Sequence, residues 1–404
     1  MDRQQPDDAP PALAPPALAP PALSGPALLT LIERTLSTGT AAHLPGPGFL
    51  RLTLPLFDGG PGDGDSIPIT VDVIADPSLP PRGIVYLLPG GGLNFAASFL
   101  TPDDQGLAHR LRRQGHVVVG VTPREDAARP DEVSAEWGLA AHRRDLARVV
   151  AALDSVLGLP YQYAGHSAGA ALALDAAAHD PSPRLRRVLV LDTTGPLTGE
   201  DTARAAATRD AYAAQLAAGT HAADPGLTGL VSRAVTDPDG ASPVPWPPDP
   251  ALRFTHAGLA HYALIHTAAL PGPANWIYAR GHAAGTYTFG PTPAEDRYTL
   301  THTPLSVWHE ATAALGSGLI PLALMRDLSA IWAAGDATYS IPWHHIRAEV
   351  LWLNTEHGRG DHPEGATLIR ASGNPRVTYR ILPNHGHADI TWSESAANAL
   401  VPLL

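Results

Sequence analysis

The stretch LPYQYAGHSAGAALALDAAA, Leu159 to Ala178, constrains this chain more than any other. Its first part is a short apolar run of the kind that forms a buried strand. Its last part is an alanine- and leucine-rich helix. Between them lie only Gly165-His166-Ser167-Ala168-Gly169. A chain that turns from strand to helix in so few residues makes a sharp, strained turn, and the positions two residues either side of its apex must be very small. Gly165 and Gly169 meet that demand, while Ala168 and Ala170 keep the start of the helix slim. The apex residue, Ser167, is then lifted toward a cleft at a helix N-terminus, where the helix dipole favours a developing anion.

The same alternation runs through much of the chain. FLRLTLPL (Phe49–Leu56) and SIPITVDVIA (Ser66–Ala75) alternate apolar with polar residues and read as antiparallel strands. GIVYLLPGGG is a continuous apolar run ending in glycines, as a buried strand would be. A helical stretch at Gln105–Gln114, the strand HVVVGVTP, a long helix over Ser134–Leu157 and the strand RRVLVLDTTG follow. The alternation stops near Pro196. It resumes near Ile346 with RAEVLWLN (Arg347–Asn354), a short helix from Pro363, the strand RVTYRILPN and a last helix from Asp389. Apolar strands separated by helices predict an α/β fold, a mostly parallel sheet covered on both faces. The interval 196–346 is too long for a loop. It predicts a mainly helical subdomain inserted between the sixth and seventh sheet strands, broken by Pro-rich segments such as SPVPWPPDP (Ser242–Pro250). Residues 31–195 and 347–404 then form the core. Residues 1–30, with the repeat APPALAPPALAPPAL (Ala9–Leu23), predict a flexible Pro/Ala-rich arm.

Composition narrows the chemistry. The 404 residues contain no Cys, and all 27 basic Lys/Arg residues are Arg. That excludes thiol nucleophiles, cysteine-ligated metals, Schiff bases and a phosphate-loop lysine. The net charge of -12 disfavours a nucleic-acid partner. No run reaches the length of a transmembrane helix, and the acidic, polar MDRQQPDDAP is no secretory leader, so the expected location is the cytoplasm.

A serine at such an apex needs a base to take its proton and donors to hold an oxyanion. LLPGGGLNF (Leu87–Phe95) offers the donors: its glycines let backbone N–H groups approach a substrate closely. Gly91 is the expected donor there and the N–H of Ala168 the second. With LLPGGG, GHSAG, the insertion after the sixth strand and NHGHAD after the last strand, the sequence resembles the α/β-hydrolases from about Phe49 onward. Pro89 departs from the histidine that many members carry before the oxyanion glycines, and leaves the glycines themselves intact.

The resemblance implies that the catalytic histidine lies in the loop after the last strand, which makes it His387, with His385 as the competing choice. Gly386 would give its ring room to swing toward Ser167. The resemblance places the acid after the seventh strand, in LWLNTEHGRGDHPEGA. Asp361 is the expected acid, with Glu356 next. Asp192, after RRVLVL, is a third choice at an alternative position used by some lipases of this class.

HGHAD (His385–Asp389) also matches the start of a two-metal H-x-H-x-D-H motif, with His385, His387 and Asp389 as ligands. Ile390 stands where the last ligand would be, and only about 15 residues follow for further ligands. No metal and no cofactor are therefore expected.

The interval 196–346 holds 13 of the chain's 24 aromatics in 151 of its 404 residues. Trp276, Tyr278, Tyr287 and Phe289 crowd a Gly-rich segment that reads as a loop. These residues predict either a lid lining an apolar or aromatic substrate pocket or the core of the subdomain itself. The expected function is a serine hydrolase acting on a small carboxylic ester, with Ser167, His387 and Asp361 as its triad. Lactones, thioesters and carbon–carbon bonds are alternative substrates. A metallohydrolase and a non-catalytic binding protein are the alternatives of a different class.

Overall fold

The computed structural model describes residues 25–35, 40–43, 49–57, 66–76, 78–335 and 337–400. Helix α1 (Gly25–Thr35) leads into the strands β1 (Thr40–His43), β2 (Phe49–Phe57), β3 (Ser66–Ile74) and β4 (Gly83–Leu88). Then follow α2 (Leu107–Arg113), β5 (His116–Val121), α3 (Leu139–Leu157), β6 (Tyr161–His166), α4 (Ala168–His179) and β7 (Leu185–Leu191). The chain then leaves the sheet. It returns as β14 (Glu349–Thr355), α10 (Glu364–Ala371), β15 (Val377–Leu382), α11 (Asp389–Trp392) and α12 (Glu394–Leu400).

The central sheet has the order β1-β2-β3-β5-β4-β6-β7-β14-β15. β1, β2, β3 and β5 pair antiparallel in turn. From β5 across to β15 every pairing is parallel. The period of two in each strand sorts the core into two layers. Ile84, Tyr86, Val188, Val190, Val350 and Trp352 face α1, α3 and α4. Val85, Leu87, Leu189, Leu191, Leu351 and Leu353 face Phe95, Phe99, α2 and the C-terminal helices. Residues that a sequence shows as an unbroken apolar run are thus buried on both sides, as a parallel sheet requires.

The repeat Ala9–Leu23 lies outside the described residues. The boundary at residue 30 falls inside α1, whose Leu28, Leu29 and Ile32 are buried in the same layer as α3.

The described part of the segment between β7 and β14, adjacent strands in the sheet, carries five α-helices, and short strands lie among them. It contains α5 (Glu200–Ala217), β8 (Ala222–Ala223), α6 (Leu227–Thr236), β9 (Ala241–Trp246), β10 (Asp249–Thr255) and α7 (His256–Ile265). After these come β11 (Gly285–Thr288), β12 (Arg297–Leu300), α8 (Leu305–Ala313), β13 (Ile320–Pro321) and α9 (Leu322–Trp332). The strands form three two-stranded antiparallel ribbons, β9–β10, β11–β12 and β8–β13. SPVPWPPDP is therefore a ribbon, not a break. Proline removes a donor from a strand, and a two-stranded ribbon tolerates this because each strand has an unpaired edge. The register of β9–β10 is correspondingly irregular.

Several hydrogen bonds tie the insertion to the core, among them those of Leu139 N–H to Asp327 and of the Tyr339 hydroxyl to Asp175. Asn94 donates to the Ala314 carbonyl, and Asp126 accepts from the Gly316 N–H. On the other side, residues 279–284 lie along the loops that follow β14 and β15. No helix among the described residues is long and apolar enough to cross a membrane.

Candidate active site

All the loops that matter leave the carboxyl ends of the parallel strands, the edge at which open α/β sheets bind ligands. The loop after β4 carries Gly90–Gly92, Ser167 follows β6, Asp192 follows β7, and the loops after β14 and β15 carry Arg359 and His387.

Ser167 caps α4 with φ 56° and ψ -118°. This is a strained conformation for a residue with a side chain, costing on the order of 1–3 kcal/mol. The glycines beside it are obligatory. A Cβ on Gly165 would lie 2.0 Å from the Gly169 carbonyl oxygen, and one on Gly169 would lie 2.2 Å from that of Leu88. The glycine loop sits directly against the turn: a Cβ on Gly90 would be 3.2 Å from Ser167 Cβ, and one on Gly91 would be 3.8 Å from Ala168 Cβ. Gly91 and Ala168, the expected oxyanion donors, are therefore side by side, with Gly90 closer still to the serine.

His387 is paired with a carboxylate, but not with the expected Asp361. His387 Nδ1–H donates to Asp192 Oδ2 across 2.5 Å, and both side chains are buried. Asp361 is exposed and interacts with the Tyr379 hydroxyl. Glu356 is exposed too, and its Oε2 accepts the Asn384 N–H at 2.6 Å. The loop after β14 contributes backbone instead of a carboxylate. The N–H groups of Thr355 (2.5 Å) and Arg359 (3.1 Å to Oδ2) donate to Asp192. That close seat needs Gly358, where a Cβ would fall 2.1 Å from Asp192 Oδ2. Asp192 itself has φ 49°. The positive-φ non-glycine residues among those described thus include both the serine and the carboxylate, so backbone strain collects at this edge.

Burial pushes the Asp192 carboxyl up, to about 6. The N–H of Thr355 and the guanidinium and N–H of Arg359 oppose the rise. Burial, together with His166, Arg359 and His282, drives His387 well below the usual histidine range. Near neutral pH the pair is therefore a carboxylate and a neutral imidazole. With Nδ1–H committed to Asp192, Nε2 is left as the basic nitrogen. His166 and His282 are also held neutral by burial, down to about 4 and about 3 respectively.

Three further residues build the site. His166, beside the serine, donates from Nε2 to the His387 carbonyl at 2.9 Å, and the two rings lie 4.5 Å apart. Tyr278, from the insertion, meets the His387 ring edge-on at 5.0 Å. Asp389 is fully buried. Its Oδ2 accepts the Gly386 and Ala284 N–H groups and its Oδ1 the Thr303 hydroxyl. Asp389 thereby fastens the histidine loop to the insertion. The His387 N–H to Gly281, the Ala388 N–H to His282, and the N–H groups of Arg280 and Gly281 to His357 complete a backbone strap. Gly386 follows from this strap: a Cβ there would lie 2.5 Å from Ala283 Cα. It is small so that the insertion can approach, not so that a ring can swing.

The three members of HGHAD are held by different partners. His385 bonds Ser395 through Nε2, His387 bonds Asp192, and Asp389 bonds the strap. Among the described residues no group of three potential ligands is placed to hold a metal ion. The aromatics of the insertion divide as well. Tyr287 and Phe289 pack with Trp246, Phe254 and Tyr262 in a cluster of their own. Trp276 and Tyr278 point instead toward Trp332 and His387.

The sequence offered one signal for Asp192: an acid directly after a buried strand whose end shares an edge with Ser167. For Arg359 and the strap there was none, because neither is a local pattern.

No family model matches the chain, and no curated protein matches it. Among solved structures, a candidate lipase from Sulfolobus solfataricus superposes with a TM-score of 0.57 at 14% identity, covering 90% of this chain and 95% of that one. A proline iminopeptidase from Mycobacterium smegmatis matches with a TM-score of 0.46 at 15% identity, over 87% of this chain and 96% of its own. At such identities the first likeness speaks for architecture alone, and what it shows agrees with the sheet order and its carboxyl-edge loops: this chain has the α/β-hydrolase fold.

Proposed function

We propose that the chain is a serine hydrolase acting on a carboxylic ester, with Ser167 as nucleophile, His387 as base and Asp192 as the acid. One observation carries the reading: the buried His387–Asp192 pair, at the same sheet edge as a strained serine turn and beside a glycine loop. His387 Nε2 takes the Ser167 hydroxyl proton as Oγ attacks the ester carbonyl carbon. Asp192 fixes the tautomer and faces the imidazolium that forms. The N–H groups of Gly91 and Ala168 are the donors for the carbonyl oxygen as it becomes an oxyanion. The imidazolium then protonates the leaving alcohol, and water attacks the acyl-enzyme by the same steps. The insertion serves as a cap that keeps bulk water from the histidine, since Tyr278 and the 279–284 strap lie against it.

The test is labelling with a fluorophosphonate, together with an ester panel of increasing acyl length, with and without a chelator. Labelling at Ser167, lost in Ser167→Ala, and chelator-resistant ester cleavage are expected. An unlabelled Ser167, or activity abolished by chelator, overturns the reading.

A further inference from the structure

A cavity opens on the glycine loop beside Ser167. Gly90 and Gly91 line it, with Ala168 and Gly169 from the first turn of α4. Both residues assigned as oxyanion donors, Gly91 and Ala168, are thus in its wall. His387 and its neighbours Asp192, Tyr278 and His282 are not. That asymmetry gives the cavity a direction. A carbonyl carbon whose oxygen rests on the Gly91 and Ala168 N–H groups carries two further substituents. The leaving alcohol must face His387, which returns the proton to it. The acyl chain takes the other side. This cavity meets the donors and not the base, so it lies on the acyl side.

Its walls set what it can receive. Ile69 of β3, Val121 of β5, Leu139 of α3, Leu172 of α4 and Leu324 of α9 make it apolar. Through Leu324 the insertion helps to close it. The polar part of the wall is two buried ion pairs. Arg124 donates to Asp145 from Nε at 2.8 Å and from Nη2 at 2.5 Å. His142 donates from Nδ1 to the Gly138 carbonyl at 2.8 Å and from Nε2 to Glu125 at 3.0 Å. Burial works against a charged ring there, but Glu125 prevails and raises the His142 pKa to about 9. Charges engaged with each other in this way offer little to a polar substituent. Nor do they move aside, since breaking such a pair strands a charge in the interior. The cavity measures about 30 Å³. One water-sized group needs about 10–15 Å³, so roughly two or three carbons can enter.

We propose that this cavity is the acyl pocket, and that the substrate is an ester of a short, apolar acid of up to about four carbons, the carbonyl included. The inference rests on the serine-hydrolase reading and names the substrate class for it. Two series of esters test it. The first varies the acyl group on p-nitrophenol from acetyl to octanoyl. The second keeps a propionyl group and lengthens a linear alcohol. In the first, kcat/KM is expected to peak at butyryl or a shorter acyl group. It should fall by about ten-fold or more by octanoyl, because forcing carbon into a filled cavity is unfavourable. Leu324→Ala takes three carbons from the wall. It is expected to move the peak beyond butyryl and to raise the octanoyl-to-propionyl ratio by about ten-fold or more, at about four-fold for each methylene admitted. The alcohol series keeps its wild-type shape. Leu172→Ala widens the cavity from α4 at a half-buried position, and is the second variant if Leu324→Ala does not fold.

A wild-type peak beyond butyryl overturns the pocket. A variant that shifts the alcohol series instead overturns it too, since the cavity would then lie on the alcohol side. A variant that shifts neither series reduces the cavity to a void in the core. Fluorophosphonate labelling of Ser167 separates the two hypotheses. A labelled enzyme without the short-acyl preference removes the pocket alone, whereas an unlabelled one removes the hydrolase reading.

Discussion

The Ser167 turn and the Asp192 seat lie next to each other at one edge of the sheet and are built in opposite ways. The turn is made by one short stretch of chain, Tyr161 to His179, with the end of β4 and the glycine loop after it, Leu88 to Gly91, packed against it. Its demands are steric and local, so they are met by residue size. The Asp192 seat draws on three distant segments: the end of β7, the backbone of Thr355 and Arg359, and His387. Its demands are hydrogen-bond donors and exclusion of water, which no single stretch can supply. A local device can be damaged by one extra methyl group. A dispersed one fails when a single connection between segments is cut.

The largest effect is expected at the dispersed device. Asp192→Asn should lower kcat by about 10³–10⁴-fold, because the amide no longer fixes the histidine tautomer or faces the imidazolium. Asp361→Asn and Glu356→Gln should stay within about two-fold, as exposed changes usually do. Steady-state kinetics on the three variants decide which carboxylate works. A large loss at Asp361 with none at Asp192 would reverse the assignment.

Next comes the local device. Gly165→Ala places a Cβ about as close to the Gly169 carbonyl as a covalent neighbour, so the turn must open. The expected loss is about 4 kcal/mol or more of stability, read as a lowered urea midpoint. A variant that unfolds like the wild type would show that the turn is not rigid.

Smaller still is the strap. Asp389→Ala removes the acceptor for two buried N–H groups and one hydroxyl. A cost of roughly 3 kcal/mol is expected, at about 1 kcal/mol for each hydrogen bond lost. Because the strap holds His387, kcat should fall more than KM rises. A stability loss with kcat unchanged would separate the strap from the chemistry.

The smallest effect is on pH dependence. In the proposed mechanism His387 acts as neutral imidazole, so activity falls as pH drops through its pKa. Burial, with His166, Arg359 and His282, lowers that pKa, so the acid limb of kcat/KM should have its midpoint below the ordinary value of about 6.5. A midpoint above that value in a pH–rate profile would contradict the buried, unprotonated state of His387.

How far each part was legible follows the same division. The β4, β5, β6, β7, β14 and β15 runs could be read because burial on both faces leaves a continuous apolar signature. GHSAG could be read because the turn writes its steric needs into adjacent positions. The Pro-rich ribbon β9–β10 could not, since its pairing lies between two strands whose prolines argue against any strand. α1 was hidden behind the repeat that precedes it. The carboxylate that pairs with His387 was hard to pick for a related reason: Asp361 and Asp192 both follow apolar strands, and nothing local tells which of them faces inward.

The sequence by itself determined the layered α/β architecture, the serine turn and the histidine loop, because each follows from periodicity or residue size within a short window. Only the tertiary structure decided that Asp192 and not Asp361 meets His387, that Gly386 is small to admit the insertion, and that the buried Arg359 guanidinium lies over Tyr278. Those outcomes depend on which backbone N–H groups and which rings arrive from segments far apart in the chain, and hydrogen bonding and burial are properties of the assembled neighbourhood.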